Sequence, residues 1–311
     1  MNVQPKSLYN ATIRLAGFQP QIKISTKAGP SMIQITVVVA ALNAKITLPR
    51  CLGSIWQQSF GNFELIVIDG SSADGTLDYL KSVTEKIDIL ISEPDTGVYN
   101  AWNKAIRLAK GEWICFVGAD DEFASPLVLE KVASVLKTKV RGEKYVYGSI
   151  NVVNRRGAIL DKLGEPWEKV RENFKSIHCV PHTGSFHHRS LFEDGGFDES
   201  FKIAADYEFL LRYLKNGEAL FIDDLITVNM RVGGMSSRPE NSFINLFENR
   251  RALQKHGLAG FFPSKIWIGR FLRVCLRVFL ARVLDKTKQA KLLDLGRKLL
   301  GKPPYWEKLD E

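Results

Sequence analysis

Three consecutive carboxylates, Asp120, Asp121 and Glu122, end an apolar run that begins at Trp113. Trp113 to Val117 is short, uncharged and β-branched or aromatic, the pattern of a strand buried on both faces of a parallel sheet. The carboxylates therefore fall at that strand's carboxyl end, the edge at which open α/β sheets bind ligands. Crowded carboxylates repel one another unless a cation relieves them. Hard divalent ions such as Mg2+ or Mn2+ take oxygen ligands and usually bring phosphates with them. The alternative is a solvated acidic turn leading into the next helix, with Ser125 as N-cap and Pro126 as first helical residue.

Other residues of the right type recur at equivalent places. Asn43 and Asp95 each follow a predicted strand, and Asp69 ends one. Asp69, followed by Gly70, can accept hydrogen bonds from a base N–H or from ribose hydroxyls, and the small residues Ser71 to Gly75 let backbone amides approach a ligand. Asp74 is balanced between a ligand role and turn duty beside Gly75. Neither a G-x-G-x-x-G nor a G-x-x-x-x-G-K-[ST] motif occurs, which removes dinucleotide and P-loop readings. A nucleotide here would be held by its base, its ribose and a metal-bridged diphosphate.

The elements that must position these groups alternate. Strands are expected over Ile33–Ala40, Glu64–Asp69, Ile87–Ser92 and Trp113–Val117, with helices over Leu48–Gln58, after Gly75 and over Val98–Leu108. Strand and helix in turn with short links indicate a parallel α/β sheet with right-handed crossovers. Further on, Tyr145–Asn154 reads as a strand and Pro166–Phe174 as an exposed helix. His178, His182, His187 and His188 crowd one segment without a cysteine pair or an H-E-x-x-H helix, so zinc is not expected. Asp206 and Glu208 open another helix, where a carboxylate suits the helix dipole. Val232 to Arg238 is glycine-rich and is either an inert connector or a mobile lid, with Ser236, Ser237 or Arg238 near phosphate.

In this order, Val39-Ala-Ala-Leu-Asn43, Glu64 to Thr76, Asp95-Thr-Gly-Val-Tyr-Asn-Ala-Trp-Asn-Lys104, Gly111 to Asp121 and Ala205-Asp-Tyr-Glu-Phe-Leu-Leu-Arg212 resemble family 2 glycosyltransferases of the GT-A fold. More narrowly, they are similar to the branch found in exopolysaccharide and colanic-acid-type gene clusters. The resemblance covers about Ile33 to Gly257. It implies that Asp69 pairs with a nucleobase, uracil by preference, and that Asn43 and Asp95 line the nucleotide pocket. It places the metal on Asp121 with Asp120, the family's D-x-D reading here as Ala-Asp-Asp. Family members often carry aspartate where Asn100 stands. His182 resembles the segment that faces the acceptor and the departing diphosphate, the alternative being a histidine satisfied by backbone. Asp206 takes the place of the general base, with Glu208 as its understudy. The implied reaction is a single displacement with inversion, the metal stabilising the leaving diphosphate.

Composition is that of a globular protein, with 45% hydrophobic and 25% charged residues. The net charge of +9 sits at the ends: residues from Ser264 onward carry +7 and those before Met32 carry +4, leaving −2 for the body. Nucleic acid is therefore not the expected ligand, since its site would need lysine and arginine on the body. Four scattered cysteines suggest neither a disulfide framework nor a zinc site and fit a reducing cytosol. No apolar stretch reaches the length of a membrane span, and no signal-peptide core is visible.

The expected division is a flexible N-terminal extension over 1–31, with Met32 as a natural start, a GT-A domain over 32–260 and a basic amphipathic helical tail over 261–311. In the tail, Arg270, Arg273 and Arg277 share a face opposite Phe271, Val274, Cys275, Val278 and Phe279. Such helices lie on anionic membranes, or pack on the body or a second subunit. A cytoplasmic enzyme peripheral on the inner face of the plasma membrane, acting on a glycan or lipid-linked acceptor, is the expected setting. Two rival readings meet specific residues. A sugar-nucleotide pyrophosphorylase needs a glycine-rich loop with Arg and Lys where Asn43-Ala-Lys-Ile-Thr47 stands; a catalytically inactive nucleotide-sugar-binding or assembly protein would have no need of Asp121 and Asp206.

Overall fold

The computed structural model describes residues 21–24, 34–235, 238, 241–299, 301 and 303–309. The first half runs β1 (Gln21–Ile24), β2 (Ile35–Ala41), α1 (Leu48–Trp56), β3 (Phe63–Asp69), α2 (Thr76–Ser82), β4 (Ile89–Ser92), α3 (Val98–Ile106), β5 (Trp113–Gly118), β6 (Glu122–Phe123) and α4 (Val128–Thr138). The second half adds β7 (Tyr145–Val153), β8 (Ile159–Leu163), α5 (Trp167–Phe174), β9 (Phe186–His188), α6 (Ala205–Leu214), β10 (Leu220–Arg231), α7 (Ser242–Lys255), α8 (Lys265–Val283) and α9 (Lys286–Leu299).

Among the described residues, ten strands form one sheet in the order β1-β4-β3-β2-β5-β9-β7-β10-β6, with β8 paired to β7. The β4-β3-β2-β5 half is parallel, as the alternating pattern requires, and β10 runs parallel to β7. The strand order reverses at β2, between β3 on one side and β5 on the other. That reversal opens a crevice at the carboxyl ends of these strands. The fold is of the GT-A type, an α/β sheet flanked by helices with further helices at its C-terminal side.

Strand residues alternate between two cores. Val38, Ile66, Ile68, Ile114 and Phe116 pack on α3 and α6, whereas Val37, Val39, Leu65, Val67, Cys115 and Val117 face the layer of α1 and α4. Helix α1 shows why its sequence is helical: Leu48, Cys51, Leu52 and Ile55 are spaced to line one face, and all four are buried. Each of its buried Leu or Ile side chains contributes about 1.5–3 kcal/mol of burial.

Several expectations need correction. The 1–31 extension lies outside the described residues apart from β1, which pairs antiparallel with β4 as an edge strand. Helix α4 begins at Val128, after the Leu127 cap position, rather than at Pro126, and the acidic turn does not cap it. Helix α5 is exposed on one side only: Trp167, Val170 and Phe174 recur at three- and four-residue steps and bury a stripe. The tail helix α8 forms, with Arg270 and Arg277 partly buried on the α7 side and Arg273 exposed at its edge. Arg270, Arg273 and Arg277 line a groove with Ser242, Asn245 and Leu246 of α7. Trp267 and Phe271 stack on each other and pack against Phe247 of α7. Ile268, Leu272, Leu276, Phe279 and Val283 are left exposed. At 100° per residue those five lie within an arc of about 80°.

Candidate active site

The loops after β2 and β3 are stitched together before any ligand is considered. The Asn43 N–H donates to Ser72 Oγ at 2.8 Å, and Asn43 Oδ1 accepts from the Ala73 N–H at 2.9 Å. Asn43 stands at φ 51°, a left-handed conformation that asparagine tolerates better than most residues. Asp74 accepts from the Lys45 N–H at 3.1 Å and from the Thr76 N–H at 3.0 Å. Its shorter bond from the Thr76 hydroxyl is the main reason that its carboxyl lies below the usual range. Asp74 thus does the turn duty that its sequence allowed.

Asp69 is fully buried. Its carboxylate accepts from Ser92 Oγ at 2.6 Å and, at longer range, from the Ser72 N–H. In this arrangement its carboxylate is committed to Ser92 and the Ser72 amide. Asp95 is better placed: it is half-buried, and a Cβ on Gly70 would lie 2.5 Å from its Oδ2, so the absence of a side chain at Gly70 makes room for it. Burial raises the Asp95 carboxyl, against the bond from the Gly97 N–H. Beneath this turn a buried ion pair, Lys104 to Glu93 at 2.9 Å, and a bond from Lys104 to the Pro94 carbonyl tie α3 to the segment carrying Asp95.

At the end of β5, Asp120 and Asp121 fold back over Gly118. A Cβ there would lie 2.7 Å from Asp121 Oδ2 and 2.9 Å from Asp120 Oδ1, so glycine leaves a small cradle between two converging carboxylates. Asp121 is 5% exposed and accepts from the Thr183 hydroxyl and the Arg231 N–H, each at 3.0 Å. Burial, then the neighbouring Asp120, pushes its carboxyl up to about 8. Burial also raises Asp120, opposed in part by the charge of Arg238. Among the described residues no three His, Cys, Asp or Glu side chains converge. Two carboxylates with room between them fit Mg2+ or Mn2+, ions that complete their shells with water and substrate phosphates. Glu122 turns away to pair with Arg50 at 2.7 Å.

Asp121 and Asp206 line one cleft of about 450 Å3, together with Tyr99, Trp102, His178, His182, Lys202 and Met235. Asp206 sits in the first turn of α6. Its Oδ1 accepts from the Tyr207 N–H at 2.8 Å and from the Tyr99 hydroxyl at 3.3 Å, while Oδ2 lies 3.9 Å from His178 Nδ1. His182 is 7% exposed and stacks on Trp102 and on Phe116, which also touch each other. Burial holds it well below its ordinary pKa, and its Nε2 has no hydrogen-bond partner. His187 and His188 belong to β9; the His187 Nδ1 bonds the Ile114 carbonyl in the core.

Glu208 does not reach the cleft. Two residues on from Asp206, it points to the other side of α6 and is fully buried against Arg212, Lys255 and His256 at 2.6, 2.9 and 3.0 Å. Asn100 donates to Glu199 at 2.8 Å, so an aspartate at that position would face a like charge. Ser236 lies outside the described residues. Arg238 bonds the Gly233 carbonyl, and Met235 borders the cleft, which puts the glycine-rich segment beside the site. Tyr99, Trp102, Thr183 and His178 were not singled out as site residues. Only Tyr99 and Trp102 carry a local signal, since they share a face one turn apart on α3.

Residues 36–196 match the family model described as Glycosyl transferase family 2. By sequence, the chain is 33% identical over 186 residues to a PGL/p-HBAD biosynthesis glycosyltransferase of Mycobacterium tuberculosis, spanning 58% of this chain and 70% of that protein. It is 26% identical over 146 residues to the UDP-Glc:alpha-D-GlcNAc-diphosphoundecaprenol beta-1,3-glucosyltransferase WfgD of Escherichia coli, spanning 47% of this chain and 56% of that protein. Among solved structures, S. aureus TarS 1-349 in complex with UDP-GlcNAc superposes with a TM-score of 0.58 at 20% identity, over 85% of this chain and 77% of that one. The mannosyltransferase PcManGT from Pyrobaculum calidifontis, in complex with GDP-Man and Mn2+, gives 0.54 at 18% identity over 98% and 91%. At these identities the two structures speak for the fold alone.

Proposed function

The chain belongs to glycosyl transferase family 2, and from that premise we propose that it moves a sugar from a nucleoside diphosphate, with uridine preferred, to a hydroxyl of a glycan or lipid-linked acceptor with inversion. The observation that carries this reading is the meeting of Asp121 and Asp206 on one cleft. Asp206 is the general base. One of its oxygens accepts from the Tyr207 N–H, the Tyr99 hydroxyl being held chiefly by the Ile203 carbonyl, and the residue lines the cavity, as a carboxylate that takes a proton from an acceptor hydroxyl must. The hydroxyl oxygen forms the new bond to the anomeric carbon as the bond to the diphosphate breaks, on the face opposite the leaving group.

Asp120 and Asp121 hold Mg2+ or Mn2+, which when bound offsets the charge of the departing diphosphate. Asp95 takes the base, in place of Asp69. Arg238 stands on the phosphate side, on a segment that closes over the donor. The E. coli relative WfgD, named for UDP-glucose and a diphosphoundecaprenol-linked sugar, supports uridine and a lipid-linked acceptor of the kind used in polysaccharide assembly.

Such an acceptor lies in a membrane. No described helix is long and apolar enough to cross one. The outward stripe of α8, with Phe261 and Phe262 at 87% and 82% exposure just before it, suits a shallow seat on the inner face of the plasma membrane.

The test is an assay of nucleoside diphosphate release and product formation. UDP-glucose, UDP-N-acetylglucosamine and GDP-mannose are each supplied with Mn2+ and alkyl glycoside or undecaprenyl-diphosphate-linked acceptors. Transfer of an α-configured donor to give a β-linked product is expected. A retained configuration, or neither transfer nor hydrolysis with any pair, overturns the reading.

A further inference from the structure

His178 is one of the residues lining the cleft to which the reaction above assigns no task. Its ring is held flat against Tyr207, with centroids 5.0 Å apart and planes 15° apart, and edge-on to Phe174. Packing therefore aims the imidazole. Nε2 is buried and has no hydrogen-bond partner, whereas Nδ1 points toward Asp206 Oδ2 at 3.9 Å. A proton on Nε2 would be a buried donor without an acceptor, while a proton on Nδ1 is favoured by the carboxylate. A ring with a single N–H thus carries it on Nδ1, toward the cleft.

The gap of 3.9 Å is too long for a direct hydrogen bond and is suited to one oxygen between the two groups. An oxygen at about 2.8 Å from each subtends an angle of about 90°, which a hydroxyl accommodates. We propose that His178 and Asp206 form a two-point clamp on the attacking acceptor hydroxyl, a proposal that rests on Asp206 as the general base. The hydroxyl donates its proton to Asp206 Oδ2 and accepts the His178 Nδ1–H on one lone pair. Its remaining lone pair is directed at the anomeric carbon. As the new C–O bond forms, the hydroxyl proton passes to Asp206 and the electron pair of the breaking C–O bond leaves with the diphosphate. His178 keeps its proton throughout. It is a catalytic residue in that it touches the reacting oxygen, and it selects the approach of that oxygen.

Two readouts on the full chain test the clamp. In long-range 1H–15N spectra of uniformly labelled protein, the His178 ring is identified by its loss in His178→Phe, and an Nδ1–H tautomer is expected. An Nε2–H tautomer overturns the proposal whether or not turnover is detected. The second readout is uridine diphosphate release from UDP-glucose with Mn2+, with n-octyl β-glucoside or water as acceptor. His178→Phe preserves the stacked ring but removes the donor, and its kcat/KM for acceptor is expected to fall on the order of 10- to 100-fold with unchanged UDP binding. His178→Asn, whose amide N–H falls near the Nδ1 position, is expected to recover most of that loss. Wild-type turnover in His178→Phe beside a dead Asp206→Asn refutes the clamp alone, whereas wild-type turnover in Asp206→Asn refutes the general-base reading on which it stands.

Discussion

The two walls of the crevice use the same residue types to opposite ends. On the β2-β3 side, Asn43, Asp69 and Asp74 spend their polar atoms on one another's loops and on Ser92, so the ligand-ready shape is built from satisfied side chains. On the β5-α6 side, Asp121 is buried with its carboxyl pushed up to about 8, and His178 and His182 each keep a ring nitrogen without a partner. Buried polar groups are normally paired, so the wall with open histidine nitrogens is the one whose partners arrive with the substrates, Asp121 and Asp206 already being bonded by Thr183, Arg231 and Tyr207. A carboxylate at a strand end is therefore informative only once its hydrogen bonds are counted.

The sharpest way to break this contrast is to neutralise the two carboxylates of the β5-α6 wall. Asp121→Asn and Asp206→Asn are expected to lower turnover by about 10^3-fold or more, measured as nucleoside diphosphate release. Asp121→Asn should keep or raise the melting temperature, because a costly buried carboxylate is removed. Asp69→Ala should do the reverse. It leaves Ser92 Oγ and the Ser72 N–H without their acceptor and is expected to cost about 2–3 kcal/mol in denaturant unfolding. A turnover loss without loss of stability in Asp69→Ala would return that residue to the ligand.

A third test uses pH. Burial lowers His187 to about 3, against about 6.5 in an unfolded chain. Between those values the unfolded state binds the extra proton, so this contribution is intact above pH 6.5 and is lost as pH falls toward 3. Unfolding free energy should drop by about 2 kcal/mol from pH 7 to pH 5 on this account, with His182 adding in the same direction. In His187→Phe the slope over that interval should flatten. The smallest effect expected is that of Arg238→Ala, a several-fold rise in KM for a nucleotide sugar, since its charge acts on Asp120 from a segment at the cleft's border.

Much of the scaffold was legible in the sequence. The uncharged run Trp113 to Val117 and the regular return of strand and helix specify a parallel half-sheet, and its order brings Asn43, Asp95 and Asp121 to one edge. The misreadings have local and non-local causes. Glu208 and the stripe of α5 were open to correction by helical geometry: two residues turn a side chain by about 200°, and Trp167, Val170 and Phe174 keep an amphipathic spacing. The burial of Asp69 depends on Ser92, supplied by a neighbouring strand whose register no local pattern specifies. The approach of His178 to Asp206 joins residues far apart in sequence through the packing of Tyr207 and Phe174. Helix α8 has two distinct faces in sequence, yet only the partner helix α7 decides which one turns inward.

The most direct measurement is the melting temperature of the wild type, Asp121→Asn and Asp74→Ala with uridine diphosphate, guanosine diphosphate and UDP-glucose, each with and without Mn2+. Binding to the native state raises the melting temperature by mass action. The account predicts a Mn2+-dependent rise with uridine diphosphate that is lost in Asp121→Asn and kept in Asp74→Ala. A rise that survives in Asp121→Asn and vanishes in Asp74→Ala would place the ligand on the other wall and contradict it.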